Sequence, residues 1–66
     1  MKVTINGESQ EIPEGLSVAA LLEHLKMPSE RLAIERNREI LPRSQWEQAL
    51  VQENDSFEIV HFVGGG

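Results

Sequence analysis

Chemistry in this 66-residue chain would have to be built from five serines, two histidines, scattered carboxylates and a closing run of glycines. His24 falls just off the leucine stripe of a predicted helix, and His61 falls on a predicted strand. No second His, Cys or carboxylate stands at metal-ligand spacing beside either, so both read as solvated or packing side chains and no metal is expected. Glu35 and Glu39 read as the solvated edge of a hairpin rather than as an acid/base couple. Ser9, Ser17, Ser29, Ser44 and Ser56 sit near turns or caps, without the strand-turn-helix glycine context of a nucleophile elbow. The absence of cysteine excludes a thiol nucleophile and a thiolate metal site within these residues. The expectation is a protein with no catalytic residues of its own.

What remains is the glycine run, Gly64, Gly65 and Gly66, which follows the apolar stretch EIVHFV. No helix follows it, so it lacks the helix N-terminus that phosphate loops use. Three extended residues reach roughly 10 Å beyond a folded body, at about 3.3–3.6 Å each. Without side chains, such a flexible tail suits a narrow channel in a partner. Taken as the terminal residue, Gly66 offers an α-carboxylate that can attack the α-phosphate of ATP and become an acyl adenylate. Its carbonyl can then accept sulfur from a persulfide and end as a thiocarboxylate. In this reading the chain is a substrate, it binds no cofactor, and ATP is consumed by the activating partner.

The elements that must position this tail are short and alternate in type. In MKVTIN, Met1, Val3 and Ile5 share one face, the period of a half-buried strand. Asn6-Gly7 suits a tight hairpin turn, so ESQEI is read as a second strand returning antiparallel. Ser17 can cap a helix over VAALLEHLK, where Val18, Leu21, Leu22 and Leu25 form one apolar stripe; Pro28 marks its stop. Leu32 and Ile34 then share a face in RLAIERN, and Asn37-Arg38 is a turn into the short strand EIL. SQWE has the form of a capping box for a helical turn that carries Trp46, Ala49 and Leu50 inward. Trp46 reads as a core anchor rather than a ligand platform. NDS turns into a last strand with Phe57 and Ile59 facing the core. The order predicts an α+β fold: a mixed four- to five-stranded sheet, one main helix across one face and the other face open. A single domain over 1–63 with a tail at 64–66 is the expected organisation.

Composition narrows the partners. Hydrophobic residues at 39% and charged residues at 26% suit a globular chain. A net charge of −5 argues against nucleic acid, which demands clustered Lys and Arg, and favours a partner with a basic docking face. The alternating start lacks the apolar block of a signal peptide, and no run approaches membrane-spanning length, so no membrane is involved and a cytoplasmic location is expected. The lack of cysteine agrees with a reducing compartment.

MKVTING, SVAALLEHL, ERNREILPRSQW and FEIVHFVGGG together resemble the ThiS family, the thiamine-biosynthesis sulfur carriers of ubiquitin-like β-grasp fold. A closing Gly-Gly is shared with ubiquitin-like protein modifiers and with the small subunit of molybdopterin synthase, so these stand as alternatives. The resemblance implies that Gly66 is adenylated by a ubiquitin-activating-enzyme-like adenylyltransferase and converted to a thiocarboxylate. It further implies that a cysteine desulfurase or other persulfide donor supplies the sulfur, and that thiazole synthase receives it to build the thiazole ring. Gly64 and Gly65 would thread the partners' active sites.

With Phe57 and Ile59 on the core face, alternation places Val60 and Phe62 on the open face beside the tail. These two are read as the docking handle for the activating enzyme and thiazole synthase, with Val63 guiding the tail. The alternative is a local bulge that turns Val60 or Phe62 into the core while His61 faces solvent.

Overall fold

The structure, a computed structural model, describes residues 1–62. The readings made for Val63, Gly64, Gly65 and Gly66 lie outside the described residues. Five strands, β1 (Lys2–Ile5), β2 (Glu8–Glu11), β3 (Leu32–Arg36), β4 (Glu39–Ile40) and β5 (Ser56–His61), form one sheet in the order β2-β1-β5-β3-β4. β1 and β5 run parallel in its centre, and the other neighbours are antiparallel. The mixed sheet is as expected.

Both hairpins turn through paired positive φ angles, the type I′ pattern that matches strand twist. Asn6 and Gly7 have φ of 51° and 83°, and Asn37 and Arg38 have 52° and 72°. In the first hairpin a glycine makes the second position free of strain; in the second an arginine occupies the left-handed region that favours glycine.

Helix α1 (Val18–His24) starts where Ser17 predicts, with its hydroxyl accepting from the Ala20 N–H at 3.1 Å. It ends earlier than predicted. Lys26, expected inside the helix, stands at φ 60°, its N–H donating to the Glu23 carbonyl at 3.0 Å while Met27 N–H donates to Leu22 at 2.9 Å. This pair of bonds is a Schellman stop, which satisfies carbonyls the helix leaves free, and it acts before Pro28 is reached. Val18, Leu21 and Leu22 are buried, whereas Leu25, at the cap, is only half-buried.

The segment after β4 departs most from expectation. A 3-10 turn (Arg43–Gln45) opens on Pro42, whose carbonyl accepts from Gln45 N–H at 2.9 Å. Ser44 is therefore inside the turn and makes no cap bond, so the SQWE capping box does not form. Trp46 is buried as predicted, with its indole N–H on the Leu41 carbonyl at 2.9 Å and the Arg43 guanidinium 4.5 Å from the ring centroid. Leu50 faces out at 58% exposure, contrary to expectation. Residues 49–51 are extended and bridge to the start of α1: Val18 N–H donates to Ala49 and Val51 N–H donates to Leu16. In extended backbone neighbours point opposite ways, and Val51 takes the core side.

The core lies between α1 and one sheet face. Val3, Ile5, Leu32, Ile34, Phe57 and Ile59 come from the strands, and Ile12, Val18, Leu21, Leu22, Trp46 and Val51 close over them. The opposite face carries no helix among the described residues.

Candidate functional site: the open face and the end of β5

β5 leads toward the glycine segment, and its register sets what surrounds that exit. It pairs with β3 without interruption from Arg36↔Phe57 to Leu32↔His61, and Phe62 N–H continues the contact to the Arg31 carbonyl at 2.9 Å. No bulge interrupts this pairing, so the alternative that turns Val60 or Phe62 inward is not what the chain adopts. Val60 is 54% exposed and Phe62 is 48% exposed. His61 is also exposed.

Register adds a residue that sequence reasoning passed over. Ile40, the most exposed large apolar side chain described, stands at 78%. It pairs with Glu35, which pairs in turn with Glu58, while Ala33 pairs with Val60. Ala33, Glu35, Ile40, Glu58 and Val60 thus line one shallow depression on the open face. The available signal was indirect: Ile34 faces in, so Glu35 faces out, and a strand partner opposite Glu35 shares its face. Reading that partner as Ile40 needs the hairpin register. Glu35 and Glu58 are directly opposed like charges, an arrangement that is unfavourable in the isolated sheet.

Beneath this surface a polar network joins β5 to the second hairpin. Asp55, only 6% exposed, meets Arg36 Nε at 3.1 Å and accepts from Asn37 Nδ2 at 3.2 Å and from Gln52 N–H at 2.8 Å. Asn37 Oδ1 accepts from Ser56 N–H at 3.0 Å. The sequence showed only a turn at NDS; the network joins residues that only the tertiary fold brings together.

The other candidates stay apart. His24 is exposed at the end of α1, Glu39 is exposed opposite Arg36, and the serines are spread over separate elements. Among the described residues no group of three or more His, Cys, Asp or Glu side chains could hold a metal ion. No helix of the described residues is long and apolar enough to cross a membrane.

A mixed sheet in the order β2-β1-β5-β3-β4, gripping one helix and handing its central last strand to a glycine segment, defines a ubiquitin-like β-grasp protein. The relationship is also written along the whole chain. It belongs to the ThiS family, whose model matches residues 3–66. A crystal structure of the thiamine biosynthesis protein ThiS from Geobacter metallireducens superposes with a TM-score of 0.88 at 35% identity, covering 100% of both chains. Sulfur carrier protein ThiS of Escherichia coli K12 is 32% identical over 66 residues, all of both proteins. The thiazole synthase of Paramagnetospirillum magneticum is 46% identical over 66 residues, and that of Magnetococcus marinus is 38% identical. The chain spans only 20% of the length of each of these two thiazole synthases.

Proposed function

We propose that this chain is a sulfur carrier of thiamine biosynthesis and that its reactive group is the α-carboxylate of Gly66, free as a chain end or exposed by a protease. The observation that carries the reading is membership of the ThiS family over residues 3–66, glycine segment included. A ubiquitin-activating-enzyme-like adenylyltransferase joins the carboxylate oxygen to the α-phosphorus of ATP, and pyrophosphate leaves. The outer sulfur of a persulfide, made by a cysteine desulfurase or another donor, then displaces AMP. A second thiol cleaves the resulting S–S bond and leaves the thiocarboxylate. Thiazole synthase takes this sulfur into the thiazole ring. The carrier needs no cofactor for any step, and the reaction belongs to the cytoplasm.

The open face is the surface by which partners hold the carrier. Val60 and Phe62 anchor it beside the tail, with Val63 leading Gly64 and Gly65 into the channel. Ile40 and Ala33 extend the apolar area, and Glu35 and Glu58 offer a basic partner two carboxylates whose mutual repulsion it relieves. A match between the whole chain and one part of thiazole synthases supports that enzyme as a partner.

Intact mass spectrometry tests the reading. Incubated with ATP, the adenylyltransferase and a persulfide donor, the chain gains the mass difference of one oxygen exchanged for sulfur, and a chain lacking Gly66 does not. An isopeptide bond to a lysine of another protein would identify a modifier instead. Thiamine-independent growth against molybdenum-cofactor activity assigns the pathway.

A further inference from the structure

β5 outruns the strand beside it. On the β1 side the parallel ladder ends at Ile5↔Phe57, whereas on the β3 side pairing continues to Leu32↔His61. Residues 58–61 therefore project beyond β1, and this projecting end carries Val60 and leads to Phe62. Phe57 still finds main chain on that side, where Asn6 N–H donates to its carbonyl at 2.8 Å. The next residue facing the same edge is Ile59, and by then the chain has already turned away at Asn6-Gly7.

The Asn6 side chain fills that place. Its Oδ1 accepts from Ile59 N–H at 2.7 Å, and its Nδ2 donates to the Ile59 carbonyl at 3.1 Å. A carboxamide carries the same donor and acceptor as a peptide unit, so one side chain supplies what a further residue of β1 would have supplied.

We propose that Asn6 is the positioning residue for the docking end of β5, holding residues 59–62 in line with the sheet so that Val60 and Phe62 meet the activating enzyme in one pose. This rests on the docking role proposed above for that pair. A turn role accounts for the positive φ of Asn6 but leaves its two bonds to Ile59 without a purpose. Glycine meets the turn's demand equally well, so Asn6→Gly keeps the hairpin and deletes only the carboxamide. Asn6→Asp keeps the size and the acceptor and removes the donor.

Amide hydrogen exchange of the full chain reads the hold directly, with Ile59 as the probe and Leu21 as the reference for global opening. The KM and kcat for the carrier in ATP-dependent adenylation read its consequence. In Asn6→Gly, Ile59 exchange accelerates about tenfold with Leu21 unchanged, and KM rises about tenfold at constant kcat. Asn6→Asp retains an acceptor for the Ile59 N–H but sets a carboxylate oxygen against the Ile59 carbonyl, so it shifts both in the same direction by less than Asn6→Gly. Unchanged Ile59 exchange, an acceleration shared equally by Leu21, or an unchanged KM beside faster Ile59 exchange overturns the proposal. A wild-type chain that is not adenylated overturns the sulfur-carrier reading instead, and the exchange arm still decides whether Asn6 holds β5.

Discussion

Asp55 shows how a single buried carboxylate can tie strands together in a domain this small. Its two oxygens meet Arg36, Asn37 and the Gln52 main chain, while its own carbonyl accepts from Thr4 of β1 at 2.9 Å. Asp55→Ala removes the shared acceptor of Asn37 and Gln52 and frees Arg36, which is itself partly exposed. The expected loss is about 1–3 kcal/mol, read as a lower denaturation midpoint at unchanged m-value. Phe62 makes the opposite case. It is half-exposed at the end of β5 and outside the buried core, so Phe62→Asp should leave the denaturation midpoint nearly unchanged. If it anchors the partners, binding to both the activating enzyme and thiazole synthase weakens at least about tenfold, as loss of an aromatic anchor implies. Unaltered binding to both by an intact Phe62→Asp chain would remove the docking role.

Helix α1 has one well-made end and one strained end. The Ser17 cap follows from a hydroxyl placed before an apolar stripe, but the Schellman stop places Lys26 at φ 60°, where a β-carbon is unfavourable. Lys26→Gly should stabilise the domain by about 0.5–1 kcal/mol, the relief of strain exceeding the entropy lost by glycine. Thermal unfolding checks this, and a lower midpoint would mean that the lysine side chain has a stabilising contact. The two hairpins differ in the same way: Gly7 relieves the first, and Arg38 leaves the second with a β-carbon in the left-handed region. Local composition showed that both turns exist. It did not show that α1 would end at His24, short of Lys26, because the stop depends on where Met27 N–H finds the Leu22 carbonyl.

For a chain of 66 residues, total stability is expected at roughly 3–10 kcal/mol, so one core layer between a helix and a sheet carries nearly all of it. Leu21 is fully buried in the core cluster that includes the inward strand residues. Leu21→Ala should remove about 3 kcal/mol or more, enough to leave a substantial unfolded fraction at 37 °C, visible by circular dichroism. The same thrift favours the docking role proposed for the face the helix does not cover. An open sheet face and a strand end are the surfaces this molecule can give to partners without weakening its core.

Much of the molecule was legible because the signals are local. Alternation in MKVTIN, the 3-4-7 spacing of α1 and Asn-Gly at the first turn each reflect a physical preference of neighbouring residues. The outward faces of Val60 and Phe62 followed from the inward faces of Phe57 and Ile59. Other features waited for the tertiary structure. Ile40 joins Val60 only through the β3–β4 and β3–β5 registers, and Leu50 turns outward only because residues 49–51 bridge to α1. Ser44 forms no cap because the turn opens on Pro42. Asn6 meets Ile59 and Asp55 meets Arg36 only once the sheet has assembled. Residue order determined which elements form; strand register, a property of long-range hydrogen bonding, decided which side chains stand together on the open face.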